Sequence, residues 1–293
     1  VKVLLTGAAG QVGLALRQAA PAEVELRALA RQELDIGDAA AVQSIVAAFQ
    51  PDLIVNAAAY TAVDRAEAEP QLAMAINAHG PRHLADAANT LPGCRLVHVS
   101  TDYVFDGRST RAYRPEDATG PLGVYGATKL AGEQAVREVL GVRGLIVRTA
   151  WVYSGTGKNF LLTMLRLMGE RGSVRVVADQ IGTPSAAAPF AQLLWRLAAL
   201  PPERATGVMH WTDAGVASWY DFAVAIAEEG AAAGLLPPKV EVIPISTAEY
   251  PTPAVRPAFS LLDGRHTWEV AALRPRHWRV RLRETLARLR TGT

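Results

Sequence analysis

Eight residues, Thr6-Gly7-Ala8-Ala9-Gly10-Gln11-Val12-Gly13, restrict the fold of this chain more than any other stretch. They follow an apolar, strand-like run at 1–5 and open a segment of helical character at 11–20. Spaced glycines between a strand and a helix are the setting of dinucleotide binding. Gly7 permits the tight turn, Gly10 lets the backbone approach a pyrophosphate, and Gly13 lets helix and strand pack closely. The helix N-terminus then offers free N–H groups and partial positive charge to phosphate oxygens. The spacing is G-x-x-G-x-x-G, and no Gly-Lys-Ser/Thr follows, which excludes a P-loop.

The rest of the first half keeps the same rhythm. Short apolar runs at 24–29, 53–55, 96–99 and 145–147 alternate with helical segments at 38–49, 71–89 and 125–140. In 38–49, Val42, Ile45, Val46 and Phe49 recur at three- and four-residue spacing, Asp38 is placed to cap, and Pro51 lies just beyond the end. Strands alternating with helices predict a doubly wound parallel sheet of Rossmann type, covered on both faces. After Trp151 the alternation loosens and prolines cluster, with helical stretches at 159–169, 187–200, 218–230 and 278–289. The expected division is a nucleotide-binding domain over 1–150 and a smaller α/β lobe, mainly substrate-binding, over 151–293, with segments free to exchange between them.

Composition narrows the partners. The chain has 293 residues, 50% hydrophobic and 20% charged, which is globular material. A net charge of +2 is too small an imbalance to imply nucleic acid or acidic lipid. One cysteine, Cys94, excludes an internal disulfide and a cysteine zinc site and fits a reducing cytoplasm. No apolar run reaches the roughly 18 residues of a membrane span, and the opening strand leaves no room for a leader.

Chemistry concentrates in three places. Tyr125 and Lys129 stand four residues apart in a helical run, on one face. A tyrosine with a pKa near 10 is a poor acid or base at neutral pH; a nearby ammonium favours its phenolate, and lowering that pKa by about 3 units takes about 4 kcal/mol. Upstream, Ser100 and Thr101 end the fourth strand, where ligands sit in open α/β sheets. After the second strand comes Arg31, about 20 residues beyond the glycines, where an arginine accommodates the 2′-phosphate of NADP. Arg31 therefore points to NADPH, while Glu33 close behind keeps NADH open.

Glycine turn, strand-end hydroxyl and Tyr-Lys helix, in this order, resemble the extended short-chain dehydrogenase/reductase family over nearly the whole chain. Within it, Asn56 to Glu67, Ser100 to Phe105, Val124 to Glu133, Arg148 to Tyr153, Asp179 to Pro184 and Arg256-Pro257 are similar to the dTDP-4-dehydrorhamnose reductases. That resemblance implies a catalytic set of Thr101, Tyr125 and Lys129. It implies that Gly10, Gln11 and Val12 hold the pyrophosphate, that Asp35 and Ile36 touch adenine, and that Ala57, Ala58, Ala59 and Tyr60 line the nicotinamide side. Thr101, Asp102, Tyr125 and Trp151 would contact a dTDP-sugar, Asn77 would join them, and Arg256 would meet its diphosphate. The implied reaction is NAD(P)H-dependent reduction of a 4-keto sugar nucleotide.

Two other readings stay open. One is a nucleotide-sugar epimerase or dehydratase of the same fold, although Tyr103 after Asp102 breaks the acidic pair a dehydratase usually shows. The other is a non-catalytic regulatory subunit resembling that of methionine adenosyltransferase. The intact Thr101, Tyr125 and Lys129 favour catalysis. His79 and His83 have Pro81 between them and no third ligand, so no metal is expected. The arginine-rich 274–290 segment, interleaved with Val280, Leu282, Leu286 and Leu289, reads as an amphipathic closing helix. Some members of the family form magnesium-bridged dimers through an acidic residue two positions past the third glycine. Ala15 occupies that place, so a monomer or a homodimer without magnesium is expected.

Overall fold

A computed structural model describes residues 1–291. Its centre is a six-stranded parallel sheet in the order β10-β5-β4-β3-β1-β2. The first lobe runs β1 (Lys2–Thr6), α1 (Gln11–Gln18), β2 (Glu25–Leu29), α2 (Ala39–Phe49), β3 (Leu53–Asn56), α3 (Val63–Ala68), α4 (Pro70–Met74), α5 (Gly80–Asn89), β4 (Arg95–Thr101), α6 (Val124–Leu140) and β5 (Gly144–Thr149). Successive strand residues face opposite ways, so each strand feeds two cores. Val3, Leu5, Val55, Val97 and Val147 pack with Leu16, while Leu4, Ile54, Leu96 and Ile146 pack with Val42, Leu84 and Val136. Burial on both faces explains why these strands read as unbroken apolar runs. Burying one Leu or Ile side chain contributes roughly 1.5–3 kcal/mol.

Beyond β5 the chain forms β6 (Val152–Tyr153), α7 (Phe160–Arg171), β7 (Ser173–Val177), β8 (Ile181–Gly182), β9 (Ser185–Ala186), α8 (Ala187–Ala198), β10 (Gly207–His210), β11 (Ala217–Ser218), α9 (Trp219–Ala232), β12 (Glu241–Ile245), α10 (Arg265–Ala271) and α11 (Trp278–Thr291). Helices α7, α9 and α11 share a separate core with Tyr153, Val174 and Val176. The sixth strand of the main sheet, β10, and the helix α8 that covers α1 both come from past residue 151. Residues past 151 thus contribute both to the main sheet and to the separate core.

Two local features position the site. From β1 the chain goes outward to β2, then crosses back to β3 on the other side of β1, so the connections diverge between β1 and β3. Ligands of open α/β sheets bind outside the carboxyl ends of the strands at such a switch point. The second feature is a break in the segment 71–89. Between α4 and α5 it makes one π-helical turn, Ala75–His79, instead of continuing as α-helix. Such turns often occur at functional sites, and this one carries Asn77. No helix among the described residues is long and apolar enough to cross a membrane.

Candidate active site

The glycine turn lies at the switch point. Gly7 has φ +73°, and a Cβ there would fall 2.4 Å from Ala58 N; a Cβ on Gly13 would fall 2.1 Å from Gly7 O. Only glycine lets the turn, α1 and the loop after Asn56 come this close. The first N–H groups of α1, at Gln11, Val12 and Gly13, precede the first i→i−4 bond, from Leu14 N to Gly10 O, and have no intrahelical partner. Beside them a cleft of about 430 Å³ is lined by Gly7, Gly10, Arg31, Asp35, Ile36, Ala57, Ala58, Ala59 and Tyr60. The side chain of Val12 packs into the core, leaving only its backbone for a ligand. Gln11 turns its amide away, its Oε1 accepting from Ser154 Oγ (3.0 Å) and Asn159 Nδ2 (2.9 Å).

Thr101 ends β4, and α6 begins at Val124, so Tyr125 and Lys129 occupy its first turns. The Glu67 carboxylate accepts from Val124 N (2.9 Å) and places negative charge at this helix end. Gly126 lets α6 sit against the loop after β4, since a Cβ there would lie 2.1 Å from Tyr103 O. The Tyr103 and Tyr125 rings meet edge-on at 5.4 Å. The Thr101 hydroxyl lies beside the Tyr125 phenol, and its Oγ1 donates to Asp102 Oδ1 (3.0 Å).

Burial governs the acid–base state of this group. It pushes Tyr125 up to about 12, against the lowering effect of Thr101, and Asp102 adds to the rise. Asp102 is itself pushed up to about 6 by burial, and burial pulls Lys129 down to about 8. Lys129, expected to draw the phenol down, is instead held by Val99 O (2.6 Å) and faces His98 Nε2 (3.3 Å). Tyr125 is therefore protonated at neutral pH and stands as a proton donor rather than a base.

A second cavity, about 730 Å³, opens in the other lobe between α7, β7 and α9. Aromatic Phe160, Trp219 and Tyr250 line it together with Arg171, Arg175 and Arg256. Trp151 packs against one of its aromatic walls. Its indole stacks on Trp219 at 3.6 Å, and its backbone is left-handed at φ +48°. That conformation costs a non-glycine residue roughly 1–2 kcal/mol and clusters at functional sites.

The RmlD substrate binding domain family model matches residues 1–291. The chain belongs to this family. The dTDP-4-dehydrorhamnose reductase of Streptomyces griseus is 45% identical over 290 residues, covering 98% of this chain and 93% of that one. A dTDP-4-dehydrorhamnose reductase from Clostridium acetobutylicum superposes with a TM-score of 0.90 at 38% identity, covering 98% of both chains. The enzyme of that name from Bacillus anthracis, solved in complex with NADP, gives 0.89 at 36% identity, covering 100% of this chain and 99% of that one.

Within this family's site two expected substrate residues are engaged by other protein groups. Asn77 is one. Its Oδ1 accepts from Tyr60 N (2.8 Å), while its Nδ2 donates to Tyr60 O (3.0 Å) and Thr128 Oγ1 (3.2 Å), so every amide group is used. It ties the cofactor cleft to α6. Arg256 lines the second cavity, but its guanidinium is paired two-fold with Asp64 of α3, at 3.0 and 2.8 Å. Sequence reasoning overlooked Glu67, His98 and Trp219. Glu67 ends the 56–67 stretch and His98 lies in the strand run 96–99, but nothing local marks what they touch.

Proposed function

We propose that this protein reduces the 4-keto group of dTDP-4-dehydro-L-rhamnose to give dTDP-L-rhamnose, using NADPH, with NADH as a weaker alternative. Its place would be nucleotide-sugar and cell-surface polysaccharide synthesis, in the cytoplasm. The observation that carries the reading is Tyr125: a half-buried, protonated phenol beside Thr101 at the carboxyl end of β4, on the helix whose Lys129 amine is buried. The same-named relatives over the whole chain support it, as does the NADP carried by the Bacillus anthracis structure.

The cleft fits a dinucleotide. Gly7 and Gly13 let the turn pack against Ala58 and α1, which shapes the cleft, and the free N–H groups of α1 suit a pyrophosphate. Gly10, Gln11 and Val12 would hold that pyrophosphate through backbone, Arg31 the 2′-phosphate, Asp35 and Ile36 the adenine end, and Ala57 to Tyr60 the nicotinamide end. When bound, the nicotinamide supplies hydride to the keto carbon. Tyr125 donates its proton to the keto oxygen as negative charge develops there, and Thr101 hydrogen-bonds the same oxygen. The Lys129 ammonium, when turned toward Tyr125, stabilises the phenolate left behind and holds the nicotinamide ribose. Asp102 and Trp151 would orient the sugar. The aromatic and arginine lining of the second cavity suits a thymine base and a diphosphate, which makes 151–291 mainly the substrate lobe.

The test is oxidation of NADPH and NADH by pure protein with and without the 4-keto sugar nucleotide. Turnover that requires the sugar is expected. No turnover, or protein purified with stoichiometric nicotinamide and interconverting sugar epimers, refutes the reading. The protein is proposed as a monomer or a homodimer without magnesium, because Ala15 on α1 offers no oxygen donor. Its sedimentation should not change on adding a chelator.

A further inference from the structure

Four polar side chains run in line through the middle of the molecule. Thr6 of β1, Asn56 of β3 and His98 of β4 occupy one cross-strand row, and Lys129 of α6 closes it. All four are buried. Thr6 Oγ1 donates to Asn56 Oδ1 (2.7 Å), Asn56 Nδ2 meets His98 Nδ1 (3.0 Å), and His98 Nε2 meets Lys129 Nζ (3.3 Å).

The direction of every bond follows from one backbone group. Ala58 N–H can only donate, and it donates to Asn56 Oδ1 at 3.1 Å. That identifies the carbonyl end of Asn56, so its Nδ2 is the donor toward His98 and His98 Nδ1 is an acceptor. Burial and the neighbouring Lys129 hold His98 well below its ordinary pKa, so the ring is neutral. A neutral imidazole with an accepting Nδ1 carries its hydrogen on Nε2. The hydrogen therefore points at Lys129 Nζ.

An ammonium has three donors and no lone pair. In this place it would set donor against donor. A neutral amine fits without conflict: it donates to Val99 O and accepts from His98 Nε2–H. We propose that His98 is a positioning residue for Lys129. Its Nε2–H, aimed by Asn56, docks the amine as the free base, and only the protonated form leaves to face Tyr125. Position and charge of the lysine are thus coupled. The other ionisable groups facing Lys129 are Tyr125 and Glu133 on α6. Glu133 favours the charged form, but its carboxylate is already bound by Arg148 of β5 and Ser100 of β4. The tautomer and the docking do not depend on the reductase reading; only the catalytic consequence rests on it.

The experiment is heteronuclear NMR on the full chain. The protein has four lysines and six histidines, so both sets resolve, with Lys129→Met and His98→Asn for assignment. Wild type should show His98 as the Nε2–H tautomer, unchanged from mildly acidic to mildly alkaline pH. Lys129 should titrate clearly below Lys2, Lys158 and Lys239. In His98→Asn the amide oxygen still accepts from Asn56, but the donor facing Lys129 is gone. The Lys129 midpoint should then rise by about one pH unit, the scale set by one close neighbour. The alkaline limb of kcat/KM should move up with it, whereas a merely structural role would lower stability and leave both midpoints in place. An Nδ1–H tautomer, a Lys129 that titrates with the other lysines, or an unmoved midpoint in His98→Asn overturns the proposal. Should that variant fail to fold, the wild-type tautomer and titration still decide. Protein that shows the Nε2–H tautomer and the low lysine midpoint but never oxidises NADPH would sink the reductase reading and leave this one standing.

Discussion

Arg31 should set the choice between NADPH and NADH, and its surroundings give the size of the effect. The side chain stands on the rim of the cofactor cleft, 62% exposed, with its Nη2 3.5 Å from Asp35 Oδ2. An exposed pair of this kind contributes about 0–1 kcal/mol, so Arg31 is free to change partners. The nearby carboxylates are turned to backbone: Glu33 accepts from Ala30 N (2.8 Å) and Asp35 from Gly37 N (2.9 Å). Hydrogen bonds to a charged group contribute about 1.5–3 kcal/mol, and subtracting the contact with Asp35 leaves about 0.5–3 kcal/mol for a 2′-phosphate. Each 1.4 kcal/mol is tenfold, so Arg31→Ala should lower kcat/KM for NADPH about 2- to 150-fold. NADH, lacking the phosphate, should change little. Steady-state kinetics with both cofactors at one fixed ionic strength measure this directly. A wild-type preference for NADH that the substitution leaves unaltered would refute the role given to Arg31.

Tyr125→Phe keeps the ring and removes the proton donor, so single-turnover reduction should fall about 10²–10⁴-fold while cofactor affinity holds. A loss within about fivefold of wild type would discard Tyr125 as the acid. Glu133→Gln leaves the Arg148 guanidinium buried without its countercharge; breaking such a pair costs about 3–5 kcal/mol, to be read from urea unfolding, and a change under about 1 kcal/mol would contradict it. Asp213 is pushed up to about 7 by burial. Its folded pKa lies above its unfolded one, so its contribution is complete below about 4, the unfolded value, and is lost as pH rises through about 7. The stability of Asp213→Asn relative to wild type should therefore increase from pH ~5 to pH ~8; parallel pH curves for the two proteins would count against the assignment.

What was readable in the sequence is what a few neighbouring residues decide among themselves. Gly7 and Gly13 announce the turn because no side chain fits there. Val42, Ile45 and Val46 mark a buried helix face through their spacing. Tyr125 and Lys129 share a face because one helical turn brings positions four apart together. Tertiary structure alone decided which distant groups these residues meet. β10 joins the sheet after more than fifty residues of intervening chain, and its pairing with β5 leaves no trace in its four residues. The resemblance implies Asn77 as a site residue; that its amide is bonded to Tyr60 and Thr128, brought in from other elements, only the fold decides. Lys129 looked like the cation that activates Tyr125, yet burial and a docking place between Val99 and His98 govern its charge. Backbone shape and periodicity are local and are written in adjacent letters. The state of a buried polar group depends on solvent exclusion and on partners that only the assembled fold supplies.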